Sequence, residues 1–402
     1  MLTDIKEKSI ILLVDDYIPY STKVAAKMMH ELACELVQRG YKVTVITPSS
    51  TLKKRYSTDY IDNVEVIRFK LGSIKNCSLI RRAINESLLP FKAWFHTNRY
   101  LKNKKFDLII SYSPSIFWRW FAIKLKKIFQ CPLYLILRDF FPQWVIDSGI
   151  IKEKSPIAKY FRFIEKLNYS SADVIGIQSS ANVDYFKQCF GNLYNTSLLF
   201  NWVNPKIGKN NIYFKKSLGL EGKILFFYGG NIGKAQNMKN LVRLAQRLQH
   251  KPEAHFVFLG QGDEFALINK IVMRDKINNV TILPPVSQQK FKAILNEVDI
   301  GLFSLCRNHK SHNFPGKILG YMANSIPILG SVNKKNDLKK IIEEYNAGFV
   351  SIHGEDDILY NNALILLENH LLRKQLGINS NRLLYAKFTV SLAIDEILNN
   401  QG

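Results

Sequence analysis

Two glycine-containing turns, each with a lysine and without an acidic residue, are the segments of this sequence best suited to chemistry. The first is GGNIGK at 229–234, and the second is PGK at 315–317, just before a short apolar segment. Glycine lets the backbone approach a ligand closely, and helix N-terminal amides together with lysine bind anions. Neither turn ends in the Gly-Lys-Ser/Thr of a P-loop. We therefore predict a phosphate-binding site that includes Gly229, Gly230, Asn231, Gly233, Lys234, Pro315, Gly316 and Lys317.

Two further loops of the second half could contact the same ligand. Gly262 lies in the turn GQGDEF, and Pro285 and Val286 could form a backbone wall for a nucleobase. His309 and His312 receive no role, because a lone loop histidine is more often structural or neutral than a ligand.

In the first half, DDYIPYSTK at 15–23 follows an apolar segment. Ser21 or Thr22 is predicted to cap a helix, which places Lys23 in the first turn. A cation there opposes the helix dipole, a cost that an anionic ligand would offset. Asp16 and its neighbour are adjacent rather than spaced as in the DxD motif of metal-bound nucleotide-sugar sites, so we predict no metal ion. Asp16, Ser21, Thr22 and Lys23 are candidate ligand contacts.

A charged pair ends another apolar segment, LILRD at 135–139. Arg138 and Asp139 either face a ligand or form an ion pair that closes the loop. We treat both as candidate site residues.

Short apolar strands that alternate with helical segments must position these residues. Such alternation is typical of βαβ units with a parallel sheet, and it restarts near residue 223 after a polar linker. The pattern predicts two Rossmann-like, doubly wound α/β domains that face a central cleft, with ligands past the carboxyl ends of the strands. The predicted domains are residues 1–204, with a helix at 385–402 packing back on them, and residues 205–384.

Charge indicates an anionic partner. The chain of 402 residues has 56 Lys and Arg against 33 Asp and Glu, and residues 51–127 hold 17 basic and 5 acidic side chains. Aromatic residues alternate with the basic ones at 79–129, as is typical of a surface that binds an anionic membrane. The alternative is that Phe117, Trp118, Phe121 and Leu125 form the buried face of a helix.

Other features of the sequence restrict the cellular location of the protein. No stretch of 18 apolar residues predicts a membrane span, and the N-terminal residues contain no signal-peptide core. The five cysteines are dispersed, without metal-binding spacing, which favours reduced thiols in a cytoplasmic protein.

In order along nearly the whole chain, VDDYIPYSTKVAAKMMHELACELVQRGYKVTVITP, LRDFFPQW, SADVIGIQSSANVDYF, FNWVN, FFYGGNIGKAQNMKNLVRLAQRL, NVTILPPVSQQKFKAILNEVDIGLFSL and FPGKILGYMANSIPILGSVN resemble segments of the retaining glycosyltransferases of family 4. Within that family the chain is similar to the transferases of O-antigen and capsule assembly that add L-N-acetylfucosamine. The resemblance implies the GT-B fold, a UDP-sugar donor bound by the C-terminal domain, and a polyprenyl-diphosphate-linked saccharide acceptor bound by the N-terminal domain. It also implies a peripheral location on the inner face of the plasma membrane, with no nucleic-acid partner and no metal or other cofactor.

The resemblance assigns roles to some residues and leaves others in doubt. Lys317, Gly316 and Lys234 would stabilise the leaving diphosphate, and Asp139 would orient the sugar. The family's cations on that diphosphate fall on Asn231 and Gln236. Its two glutamates fall on His312 and Gly320, so another residue must hold the ribose.

Two alternatives stay open. A nucleotide-sugar 2-epimerase shares the fold but needs an acid/base set to move a C2 proton, and only Asp139 is a candidate. A basic protein that binds nucleic acid or a membrane without catalysis would need no glycine turns, and no RNA- or DNA-binding motif is found.

Overall fold

A computed structural model describes residues 8–21, 23–74, 78–113, 115–147, 149–205, 213–306 and 314–401. The chain divides into two units, the first made of Met1–Trp202 and Val390–Gly402 and the second of Val203–Thr389. Each unit contains one sheet with helices packed on it. The predicted α/β fold with two Rossmann-like domains is confirmed.

The first unit is built on eight strands within the described residues, in the order β3-β4-β2-β1-β5-β6-β7-β8. The β3–β4 pair is antiparallel, and the other pairs are parallel. The strands are β1 Ser9–Leu13, β2 Lys42–Ser49, β3 Tyr56–Ile61, β4 Val64–Lys70, β5 Leu108–Ser113, β6 Leu133–Leu137, β7 Val174–Ile177 and β8 Thr196–Leu198. The helices are α1 Val24–Gln38, α2 Leu79–Leu101, α3 Arg119–Phe129, α4 Gln143–Asp147, α5 Pro156–Tyr169, α6 Ser180–Phe190 and, much later in the chain, α15 Val390–Asn399.

Continuous apolar runs form the central strands because both faces of the sheet are covered by helices. In β1, Ile10–Leu13 are all at most 1% exposed. The buried face of α1 repeats at the helical period with Met29, Leu32 and Leu36, which join β1 in one core. Helix α15 supplies Val390, Ala393, Ile394 and Ile397 to the same core.

The second unit has six parallel strands within the described residues, in the order β11-β10-β9-β12-β13-β14. The strands are β9 Ile224–Asn231, β10 Ala254–Gln261, β11 Val280–Leu283, β12 Ile300–Ser304, β13 Ile328–Val332 and β14 Gly348–Ile352. The helices are α7 Phe214–Ser217, α8 Lys239–Arg247, α9 Phe265–Arg274, α10 Gln288–Leu295, α11 Lys317–Ala323, α12 Leu338–Glu344, α13 Asp356–Glu368 and α14 His370–Lys387.

Strand order marks where each unit should bind a ligand. The direction of winding reverses between β1 and β5 in the first sheet and between β9 and β12 in the second. Ligands of such sheets bind at this reversal, outside the carboxyl ends of the strands. Asp15 follows β1, and the glycine turn ends β9.

No helix among the described residues combines the length and the apolar character needed to span a membrane.

Candidate functional site

The glycine turn and Lys317 lie side by side at the carboxyl end of β9. Gly230 has a φ of +139°, and a Cβ built on it would lie 3.3 Å from Cε and 3.6 Å from Nζ of Lys317. The ammonium group sits 3.5 Å from the ring centroid of Tyr228. A side chain at position 230 would occupy the space beside the ammonium, so glycine there leaves room for a ligand.

Lys317 is desolvated, and no described residue supplies a compensating charge. Burial lowers the pKa of Lys317 well below its usual value, with no contribution from a charged group among the described residues. Within the part of the chain that the structure describes, it forms no ion pair. Its one described charge-related contact is the face of Tyr228. An anionic ligand would stabilise the charged form of Lys317, because it would supply the opposite charge that the described residues do not supply.

A buried tyrosine, Tyr321, is hydrogen-bonded to the backbone of the glycine turn. The Gly229 N–H donates to the Tyr321 hydroxyl at 3.2 Å. That hydroxyl donates toward the carbonyl oxygens of Phe227 at 3.2 Å and Leu302 at 3.1 Å, and so joins β9 to β12. Sequence reasoning missed Tyr321, although it lies one helical turn after Lys317. The two residues project from α11 onto the same strand, which fixes the ammonium relative to the turn.

A neutral pair occupies the places where the family carries cations. Asn231 Nδ2 donates to Gln236 Oε1 at 2.8 Å. Lys234 is exposed in the 3₁₀ turn that follows Gly233. A Cβ on Gly233 would lie only 2.4 Å from Asp263 Oδ1, so an acidic group borders this side of the turn. A role for Lys234 on the phosphates stays a prediction.

The remaining predicted donor residues lie in three places. Pro315 and Gly316 precede α11 directly and are partly buried beside Lys317. Gly262 packs against the turn after β9, since a Cβ there would lie 2.2 Å from the Ile232 carbonyl oxygen. Pro285 and Val286 follow β11, which β10 separates from β9. Their contact with a nucleobase stays a prediction, and His309 and His312 lie outside the described residues.

In the first unit, Asp15 is a carboxyl group strongly altered by its surroundings, and sequence reasoning gave it no role. The Trp118 indole N–H donates to Asp15 Oδ1 at 2.7 Å. Burial is the main cause that raises the pKa of Asp15 to about 7; the bond from Trp118 and the charge of Arg82 oppose this rise, and the charges of Glu86 and Asp16 add to it. A carboxyl group with this pKa can accept or donate a proton near neutral pH. Its position directly after β1 could have singled it out.

Arg138 and Asp139 follow β6 and form part of the same edge. Arg138 Nη1 donates to the Tyr112 hydroxyl at 3.0 Å, and Gln178 Nε2 donates to the Arg138 carbonyl at 2.6 Å. Burial disfavours the charged guanidinium, but Tyr112 and Asp139 outweigh it and keep the pKa of Arg138 above its usual value. Burial raises the pKa of Asp139, and Arg138 opposes that shift. Arg138 and Asp139 thus interact electrostatically at the carboxyl edge of the sheet, and their contact with a ligand stays a prediction.

The start of α1 differs from the prediction. The helix begins at Val24, with Lys23 as an N-cap residue that makes no side-chain capping bond. Ser21 Oγ instead accepts from the Lys23 N–H at 3.3 Å. The Lys23 ammonium lies 3.8 Å from Asp16 Oδ2 and remains 61% exposed. Lys23 thus precedes the helix rather than lying in its first turn, and Thr22 lies outside the described residues.

The basic and aromatic segment separates into a buried part and an exposed part. On α3 and just before it, Phe117, Trp118, Phe121 and Leu125 are at most 7% exposed, so the buried-face alternative is correct there. Lys126 is paired with Asp173 at 2.6 Å.

The exposed part lies on α2. Its side chains at intervals of four, three and four residues project from one face, and each is 40% or more exposed: Ile84, Leu88, Phe91 and Phe95. Exposed Ile157, Tyr160 and Phe163 of α5 extend this surface, because the Ser87 and Tyr160 hydroxyls lie 3.1 Å apart. Arg81, Arg82 and Arg99 are exposed on the same helix α2. We call this group the α2–α5 surface.

Comparison with known proteins agrees with the two-unit architecture. The sequence family described as Glycosyltransferase Family 4 matches residues 25–206, and the family described as glycosyl transferases group 1 matches residues 210–382. The solved structure of HepE from Anabaena, in complex with UDP and glucose, is similar with a TM-score of 0.70 over 98% of this chain and 99% of HepE. At 15% identity this likeness shows the fold alone.

Curated relatives match over shorter stretches. The "Probable glycosyltransferase WbjE" of Pseudomonas aeruginosa is 24% identical over 221 residues, which are 54% of each protein. The "Putative colanic acid biosynthesis glycosyl transferase WcaI" of Escherichia coli K12 is 28% identical over 103 residues, 26% of this chain and 25% of WcaI. The chain thus spans about half of WbjE and a quarter of WcaI in these matches. The chain thus contains a domain of the family described as Glycosyltransferase Family 4 in its first half and a domain of the family described as glycosyl transferases group 1 in its second, and its fold is that of the GT-B structures.

Proposed function

We propose that this protein transfers a sugar from a UDP-sugar to a lipid-linked saccharide during synthesis of a bacterial surface polysaccharide. The observation that carries the proposal is Lys317, a desolvated ammonium beside Gly230 without a described ion-pair partner. A nucleoside diphosphate supplies the anion that this group lacks. HepE, which has the same fold, was solved with UDP and glucose, and the name of WcaI refers to colanic acid biosynthesis.

The proposed chemistry is electrostatic. When the bond between the sugar and the diphosphate breaks, negative charge develops on the leaving phosphate oxygen. A preorganised cation stabilises that charge more in the transition state than in the ground state. Lys317, the Gly316 amide and Lys234 are assigned to this task, and Asp139 to orienting the sugar. The departing phosphate takes the proton of the incoming hydroxyl, and the configuration at the anomeric carbon is retained.

A panel of radiolabelled UDP-sugars with polyprenyl-diphosphate-linked N-acetylglucosamine or N-acetylfucosamine tests the proposal. We expect transfer from one N-acetylated amino-sugar donor, with L-N-acetylfucosamine as the first choice, and we expect it to continue in EDTA. Product NMR would report the anomeric configuration. Conversion of the donor to its C2 epimer without transfer would favour the epimerase alternative instead.

The acceptor is proposed to reach the enzyme from the inner face of the plasma membrane, where the α2–α5 surface binds. Half-exposed phenylalanines next to arginines suit the boundary between lipid headgroups and acyl chains. Lys124 and Lys126 suit a charge-reversal test less well than these residues. Lys124 stacks on Trp94 and Trp120, at 4.3 and 4.9 Å from their ring centroids, and Lys126 is paired with Asp173.

A double variant tests this surface. Replacing Phe91 and Phe95 by Ser should weaken sedimentation with phosphatidylglycerol vesicles about tenfold, since loss of two half-buried rings removes at least about 1.4 kcal/mol. Leu371→Ser, which changes an apolar side chain 77% exposed in the second unit, is the matched control. Unchanged vesicle binding by the double variant would refute the surface assignment while leaving the transfer assay intact.

A further inference from the structure

Three side chains with metal-ligating atoms meet on the first unit, and none is among the residues assigned to sugar transfer. His30 and Cys34 belong to α1, and Asp62 lies in the turn between β3 and β4. Their ligand atoms all lie within 4.8 Å of one another. His30 Nε2 is 2.9 Å from Asp62 Oδ2 and 3.3 Å from Cys34 Sγ.

Secondary structure fixes the positions of all three. His30 and Cys34 are four residues apart on one helix, so their side chains project from the same face. Asp62 has a φ of +48° and Asn63 a φ of +63°, which form the two-residue turn of the β3–β4 hairpin. The hairpin turn therefore places the Asp62 carboxylate next to α1.

Tyr17 orients the histidine from its other side. Its hydroxyl lies 2.8 Å from His30 Nδ1, and the tyrosine is only 3% exposed. The two rings also meet edge to face, with centroids 5.5 Å apart. Metal-binding histidines typically have such a partner on the second ring nitrogen, which fixes the ring and directs the first nitrogen at the ion. Here the directed nitrogen is Nε2, the atom that faces Cys34 and Asp62.

We propose that His30 Nε2, Cys34 Sγ and one Asp62 oxygen bind a divalent ion of the zinc class, with a fourth position open to water. Imidazole, thiolate and carboxylate are all zinc ligands, and tetrahedral bonds of about 2.0–2.3 Å place ligand atoms roughly 3.3–3.6 Å apart. The His30–Cys34 distance already satisfies this spacing. The His30–Asp62 distance is shorter by a few tenths of an ångström, and Asp62, 74% exposed, has room to withdraw.

Binding of the ion would replace protons that the cluster now holds. All three ligands bind in their deprotonated forms, so His30 Nε2, the Asp62 carboxylate and the Cys34 thiolate would bind the ion and any proton on these atoms would leave to solvent. The ion would then link α1 to the β3–β4 hairpin. Since the folded state alone presents this set, metal binding stabilises the first unit.

Cobalt titration of the EDTA-dialysed full-length protein tests the site. We expect one Co²⁺ per chain with a thiolate-to-cobalt charge-transfer band, and a higher melting temperature when Zn²⁺ is added. Cys34→Ser and His30→Ala should lose the band, whereas Cys189→Ser, an exposed cysteine on α6, should keep it. Tyr17→Phe should keep the band but bind cobalt about 10–100-fold more weakly.

Two results would overturn the proposal. One is the absence of a charge-transfer band in the unmodified protein, which would leave His30 and Asp62 as a simple hydrogen-bonded pair. The other is an unchanged band or an unchanged zinc-dependent rise in melting temperature in Cys34→Ser. Circular dichroism of each variant establishes that it is folded, so loss of the band reports ligation.

Discussion

Lys317→Met should change stability and donor binding in opposite directions. Methionine keeps an unbranched side chain of similar length, so it fills the space beside Gly230 and Tyr228 without the charge. In the free protein the charge costs stability, because burial lowers the pKa of Lys317 well below its usual value. Each pH unit of that depression corresponds to about 1.4 kcal/mol. We therefore expect the free variant to be more stable than the unmodified protein at pH 7.

The pH dependence follows from the same shift. Between the lowered pKa of folded Lys317 and its ordinary pKa near 10.5, the unfolded chain binds more protons. Stability therefore rises with pH through this window, and the gain in Lys317→Met is complete below it and absent above it. Bound diphosphate reverses the shift, so UDP binding above the lowered pKa takes up a proton. Calorimetry in buffers of different ionisation enthalpy should detect that uptake in the unmodified protein and not in the variant.

In Lys317→Met, donor binding and turnover should weaken while the stability of the free protein rises. Loss of one preorganised charge contact typically lowers turnover on the order of 10²–10³-fold. Lys270→Met, an exposed lysine of α9, is the control and should change neither quantity. If Lys317 had only a structural role, its replacement would lower the stability of the protein. If it had no role, its replacement would change neither stability nor donor binding. Either result, or a Lys317→Met variant with full UDP affinity and transfer rate, would refute the role given to this residue.

Three further changes test other parts of the structure. Asp15→Asn should raise stability at pH 8, because a carboxyl pKa of about 7 makes the folded chain lose up to about 1.4 kcal/mol per pH unit between about pH 4 and 7; equal denaturation midpoints for both proteins at pH 8 would contradict this. Gly230→Ala should weaken UDP binding at least about tenfold in calorimetry, since alanine is strained at a φ of +139° and its methyl group would lie 3.3 Å from Lys317 Cε; unchanged affinity would show that the space beside the ammonium is not used. Arg39→Ala should lower the melting temperature and raise hydrogen exchange in α15, because Arg39 holds that helix through Asp395 at 2.6 Å; exchange that rises equally in α14 would argue for general destabilisation instead.

The sequence predicted the parallel sheets well because their strands are short, apolar and separated by helices. It missed the β3–β4 hairpin because β3 has three consecutive exposed residues, Thr58, Asp59 and Tyr60, and lacks the alternation of a half-buried strand. Helix α2 was seen as a basic and aromatic segment, but periodicity alone could not show which face was exposed. Phe91 is exposed and Leu89 is buried, and this difference is decided by packing against the rest of the unit.

Site residues divide in the same way. The glycine turn and Lys317 were chosen from the sequence for their composition, and the structure places them side by side; that they bind phosphate stays a prediction. Asp15 and Tyr321 were missed because their contacts are with long-range neighbours, although the place of Asp15 after β1 is a signal in the sequence. Trp118, 103 residues from Asp15, donates to its carboxylate, and Gly229, 92 residues from Tyr321, donates to its hydroxyl. Sequence separation of this size leaves no local pattern.

The position of α15 also sets an order for synthesis. Val390, Ala393, Ile394 and Ile397 complete the core of the first unit, yet they follow the whole second unit in the chain. When residues 1–202 leave the ribosome, the apolar surface of α1 therefore still lacks its partner helix. The second unit, whose strands and helices are contiguous in the chain, can complete its core before α15 has been made. We expect a ribosome-bound nascent chain to show protease resistance first at residues 203–389, although they are translated later.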